Sequence, residues 1–256
     1  MKYEGKSFKE VHDICQPEGG GNLPMRIGRY VSMPLTLLCL KLGISANSVS
    51  FARFFVGLFG ILLIATGQYW WMIAGLLIFH FAIILDYVDG EIFRYITYKT
   101  GKKDTILKGH WLDKVIDNSY RPLLLFAAGI GCAVSQGGDY RYLILGGAGA
   151  ILIMLDLLIK SRTPLALVYK KQMKYLEETG GAVEQHGKWM DAFLEPWRIN
   201  NPVTLYWWFL AFGYLHIFLI IYVPLLMLQL IKTVYSQWKV LCEFDKKILG
   251  EMYGEN

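Results

Sequence analysis

Three long apolar runs, residues 48–66, 69–85 and 142–159, set the limits on what this chain can fold into. Each approaches the roughly 20 residues that a helix needs to cross a bilayer. Each carries one conspicuous polar interruption: Arg53, His80 and Asp156 respectively. Backbone N–H and C=O groups find no water in hydrocarbon, so the runs must satisfy them internally, as helices. A composition of 54% hydrophobic and 18% charged residues places the chain outside the ordinary soluble class. The fold expected is all-α, a polytopic membrane protein.

Further spans follow from the same reasoning. Residues 122–134 are too short alone, but extended back through Trp111 they make a fourth span whose first turns carry Asp113, Asp117 and Arg121. Residues 203–231, interrupted by Gly213 and Pro224, read as two short spans, giving about six transmembrane helices. Ahead of them, residues 25–42 mix Arg26, Arg29 and Lys41 with aliphatic residues, as an amphipathic helix lying in the interface does. The expected organisation is a cytoplasmic arm with interfacial helix at 1–43, a transmembrane domain at 44–235 and a cytoplasmic tail at 236–256.

Lys and Arg concentrate in residues 97–108, 160–198 and the C-terminal tail, which the positive-inside rule assigns to the cytoplasm together with both termini. These basic residues are accounted for by topology and anionic lipid, so no nucleic-acid partner is expected. No cleavable signal peptide is evident. Cys15, Cys39, Cys132 and Cys242 lack metal-ligand or redox spacing.

The chemistry lies in four acids where apolar segments meet basic ones. Asp86 and Asp89 are spaced i,i+3, and Asp113 and Asp117 i,i+4, so on helices each pair shares a face with Cβ atoms roughly 5–6 Å apart. Carboxylates beside hydrocarbon are costly unless paired, hydrated or metal-bound, which makes them a functional-site expectation. Oxygen-only ligands without a Cys or His pair favour Mg²⁺, Mn²⁺ or Ca²⁺ over zinc.

These residues resemble a known signature. Asp86-x2-Asp89-Gly90-x2-Phe93-Arg94, then Gly109-x3-Asp113-x3-Asp117, is similar to that of the CDP-alcohol phosphotransferase (CDP-alcohol phosphatidyltransferase) family, D-x2-D-G-x2-A-R followed by G-x3-D-x3-D. Residues 44–50 resemble the family's Pro-Asn-x-(Val/Ile)-Thr stretch, with Ala46 in place of Pro. Two departures stand out. Phe93 replaces a small Ala, and the spacer at 95–108 is longer than usual, which reads as an inserted cytoplasmic loop.

The resemblance implies a two-metal site of Mg²⁺ or Mn²⁺ held by Asp86, Asp89, Asp113 and Asp117, with Asp117 the general base. It implies CDP binding by Asp86, Asp89, Gly90, Arg94, Gly109, Asn47 and Ser50, and acceptor binding by Arg121 and Arg162. The expected activity is transfer of a substituted phosphate from a CDP-linked donor, CDP-diacylglycerol in preference, to an alcohol that itself carries a phosphate or not, with release of CMP in phospholipid synthesis. A homodimer in the cell (inner) membrane, among membrane lipids, is implied as well. The Gly90-Glu91-Ile92 run before Arg94 is also similar to members that use CDP-inositol or another soluble CDP-alcohol. A rival of another class, a cation transporter, would place such acids near the bilayer midplane.

Overall fold

The computed structural model describes residues 8–16, 23–101, 107–169, 209–211 and 213–253, which are helices joined by short turns, with no strand among the described residues. The elements are α1 (Phe8–Cys15), α2 (Leu23–Leu42), α3 (Ala46–Ala65), α4 (Tyr69–Thr100), α5 (Leu107–Ser135), α6 (Tyr140–Tyr169) and α7 (Leu215–Tyr253). Four of them contain stretches long and apolar enough to cross a membrane: Ala46–Ala65, Tyr69–Thr100, Tyr140–Ser161 and Leu215–Cys242. The protein is all-α and polytopic. α5 is as long as these, but its polar first turns dilute its hydropathy.

Local sequence sets the helix ends. Ser45, in extended backbone, accepts a hydrogen bond from the Ser48 amide at 3.2 Å and caps α3. α4 ends on Gly101, whose φ of 66° closes a left-handed cap on the Thr97 carbonyl. The expected inserted loop is therefore mostly helix: α4 continues to Thr100, and only residues 101–106 separate it from α5. Pro224 lies inside α7 without ending it, whereas Gly213, at φ 76°, separates the helical stretch 209–211 from α7. The first of the two short spans expected at 203–231 lies largely outside the described residues.

Close backbone approach holds the bundle together. A Cβ on Gly60 would sit 2.6 Å from the Gly75 carbonyl oxygen, and one on Gly75 2.5 Å from that of Gly60, so α3 and α4 touch where neither has a side chain. Gly129 and Gly146 do the same for α5 and α6. Around these contacts Ile61, Ile64, Leu76, Phe79, Leu124 and Leu125 form the main core with Phe218, Leu219 and Tyr222 of α7.

Directions follow from the contacts. The Tyr142 ring meets His216 near the starts of α6 and α7, and Thr233 Oγ1 donates to Asp156 Oδ1 at 2.6 Å towards their other ends. α6 and α7 therefore run parallel. Asp156 thus pairs with a neighbouring helix, as well as with Lys160 at 2.6 Å.

Candidate functional site

Helix geometry puts the acids at one edge of the apolar slab. At 1.5 Å per residue, Asp86 lies roughly 25 Å along α4 from Tyr69, and Asp117 roughly 27 Å along α5 from Ser135. Both distances approach the thickness of the hydrocarbon core, about 30 Å. The edge, not the midplane, is where a water-soluble substrate meets a membrane protein.

The i,i+4 pair on α5 and Asp86 on α4 converge as the spacing predicts. Asp86, Asp113 and Asp117 each offer a carboxylate oxygen, all within 4.8 Å of one another. Asp89, one turn further along α4, stands beside this trio, and Ser50 Oγ of α3 donates to its Oδ2 at 2.7 Å. These carboxylates suit a hard divalent cation, which takes oxygen ligands and needs their negative charge. In chemical terms the donor set fits the expected metal.

The residue that organises the cluster is one that sequence reasoning did not assign. Arg53 of α3 is 2% exposed, and its guanidinium lies among all four acids. Nη1 donates to Asp113 Oδ1 at 2.8 Å, pairs with Asp86 and lies 3.8 Å from Asp89 Oδ2; Nη2 pairs with Asp117. Its Cα is only about 18 Å from the Ala65 end of α3. The side chain therefore reaches from within the slab up to the acids. The Tyr120 ring lies 5.9 Å from the guanidinium carbon, and Tyr120 Oη donates to the Arg53 carbonyl at 2.5 Å. A Cβ on Gly57 would fall 2.4 Å from that hydroxyl, so the glycine admits the tyrosine. The available signal was a lone Arg inside a span, which is costly without a partner.

Glu91, the acid beside the motif, serves differently. Fully buried, it accepts hydrogen bonds from Gln16 Nε2 at 2.6 Å and Ser32 Oγ at 2.7 Å on Oε1, and from Thr36 Oγ1 at 2.5 Å on Oε2. It ties the N-terminal helices to α4. Arg94 adds to this by donating from Nε to the carbonyl of Cys15, the last residue of α1, at 2.5 Å.

The other expected site residues divide. Gly90 is next to the cluster, and a Cβ there would meet nothing nearer than the Arg94 guanidinium at 3.4 Å. Packing therefore does not demand a glycine at this position. Asn47 is exposed in the first turn of α3, and Gly109 lies in the first turn of α5. Arg121 lines a separate small cavity with Asp156, Leu226 and Gln229. Arg162 belongs to α6, but its side chain lies outside the described residues.

The class so defined is a helical, polytopic membrane protein with a polyacidic site at the edge of its apolar slab. Residues 44–175, more than half of the chain, match the family model described as CDP-alcohol phosphatidyltransferase, and the chain belongs to that family. No curated protein matches it. Membership makes it an enzyme that transfers a phosphate group from a CDP-alcohol to an alcohol acceptor, in a family dependent on divalent metal.

Proposed function

We propose that this enzyme moves a substituted phosphate from CDP-diacylglycerol to an alcohol hydroxyl in phospholipid synthesis, releasing CMP. The observation that carries the metal-dependent chemistry is the convergence of Asp86, Asp113 and Asp117 within 4.8 Å, with Asp89 alongside. Asp86, Asp89 and Asp113 would hold the cations, two in number, and Asp117 is the general base and would also touch metal. Bound Mg²⁺ or Mn²⁺ neutralises the pyrophosphate and the charge that develops on transfer.

Asp117 takes the proton of the acceptor hydroxyl as its oxygen bonds to the phosphorus that carries the lipid group. The bond from that phosphorus to the bridging oxygen breaks, and CMP leaves with the electron pair. Ser50 keeps Asp89 oriented. Gly90 lets the nucleotide approach the α4 backbone, while Arg94, Gly109 and Asn47 complete the CDP site. Arg121 and Arg162 receive a phosphate on the acceptor.

A lipid-linked substrate is supported by an apolar groove between α5 and α6. Val115, Leu123, Phe126, Ile151 and Met154 line it together with Asn118, the neighbour of Asp117. Acids at the slab edge favour the transferase over a transporter. The burial of Glu91 under α1 and α2 accounts for the Gly90-Glu91-Ile92 run without a soluble CDP-alcohol. The distribution of Lys and Arg supports a cytoplasmic site and cytoplasmic termini in the cell membrane, and the family resemblance supports a homodimer.

The test is to supply purified protein with Mg²⁺ or Mn²⁺, CDP-diacylglycerol and a panel of alcohols and phosphorylated alcohols. CMP and a new phospholipid should form together. Turnover with only CDP-inositol and a lipid acceptor would transfer the reading to that donor, and ion flux without CMP would favour the transporter.

A further inference from the structure

We propose that Arg53 is a resident counter-cation that competes with divalent metal for the aspartates. The inference rests on the metal reading above and extends it to a residue outside the acidic motif.

Three observations carry it. First, the guanidinium contacts the carboxylates that converge: Nη1 reaches Asp86 and Asp113, and Nη2 reaches Asp117. A cation coordinated by those three acids and the guanidinium as placed draw on the same small group of oxygens. Second, Arg53 Nε is buried with no hydrogen-bond partner among the described residues, although the residue is 98% buried. A buried charged donor normally uses its N–H groups, so the present contacts leave part of the fork unused. Third, the backbone is pinned while the side chain is long. Tyr120 holds the Arg53 carbonyl and fills the space beside Gly57, so a shift of the guanidinium falls to the side chain and not to α3.

Charge explains why such a device suits this site. With all four acids ionised, one guanidinium leaves the cluster three charges negative, and two divalent cations change that to one positive. The cluster is partly neutralised at the slab edge before metal arrives.

Mn²⁺ binding to the purified wild type, Arg53→Gln and Arg53→Lys is measured by electron paramagnetic resonance, and thermal unfolding is followed in EDTA and in Mn²⁺. Removing the competitor should lower the Kd for Mn²⁺ at least tenfold in Arg53→Gln. Its melting temperature should fall in EDTA and recover with Mn²⁺ by more than the wild type gains. Arg53→Lys keeps a charge but not the fork, so its Kd should lie between the two; if Arg53→Gln does not fold without metal, this variant decides. Unchanged or weaker Mn²⁺ binding in folded variants overturns the inference and leaves the metal site standing. Absence of Mn²⁺ binding in all three proteins overturns both.

Discussion

Ser50 of α3 donates its hydroxyl to Asp89 of α4 at 2.7 Å, across 39 residues of sequence, and orients the one acid of the four that stands beside the converged trio. A hydrogen bond to a charged group contributes about 1.5–3 kcal/mol. If Asp89 acts in catalysis, Ser50→Ala should lower kcat/KM by about ten- to a hundredfold, along with a melting temperature a few degrees lower from loss of the buried bond. Steady-state kinetics with folded variant checks this, and unchanged kcat/KM would mean that the contact is structural only.

Glu91 predicts the opposite balance, with stability affected first. Glu91→Ala leaves the donors of Gln16, Ser32 and Thr36 without their acceptor, at about 1–3 kcal/mol for each group that stays buried. The melting temperature should fall by several degrees, and α1 should detach from α4. Cys15 reports detachment directly, because burial pushes its thiol up to about 12 and it is 0% exposed in the docked helix. Maleimide should label Cys15 slowly in the wild type and rapidly in Glu91→Ala. Equal labelling rates would contradict this latch.

Gly90 has room for a methyl group, so Gly90→Ala should fold normally. Reduced nucleotide approach should nevertheless raise the KM for the CDP donor by about tenfold. A variant with wild-type kinetics would remove Gly90 from the donor site.

Arg121 and Arg162 test whether the acceptor is phosphorylated. A dianion approaching four carboxylates needs fixed cations, so Arg121→Gln or Arg162→Gln should raise the acceptor KM while the donor KM hardly moves. Because Arg121 lines a cavity with Asp156 and Gln229, both KM values are needed from the same preparation. Unchanged acceptor kinetics in both variants, or an uncharged alcohol as best substrate, would return the arginines to membrane anchoring.

What was legible in the sequence was what is local. Apolar run length gave the spans, and the i,i+3 and i,i+4 spacings placed the acids on shared faces before any tertiary contact was known. Arg53 was not legible as a site residue, because its partners Asp113 and Asp117 lie 60 and 64 residues away and a lone Arg in a span resembles a snorkelling anchor. Glu91 was hidden similarly, with partners 55 to 75 residues distant. The length of the 95–108 spacer suggests a loop, but length does not distinguish a loop from a helix extended by Tyr98, Lys99 and Thr100. They continue α4 to its glycine cap.

The most direct test of the central claim is CMP formation by the purified enzyme with a panel of CDP donors and alcohol acceptors, compared with Asp86→Asn, Asp89→Asn, Asp113→Asn and Asp117→Asn. The wild type should release CMP and form lipid product in equal amounts with Mg²⁺ or Mn²⁺, and EDTA should stop it. Each variant should stay folded in detergent yet lose about three or more powers of ten in turnover, since each removes a metal-holding or proton-accepting carboxylate. No CMP from any donor and acceptor pair, or near-wild-type turnover in two of the four variants, would contradict the account.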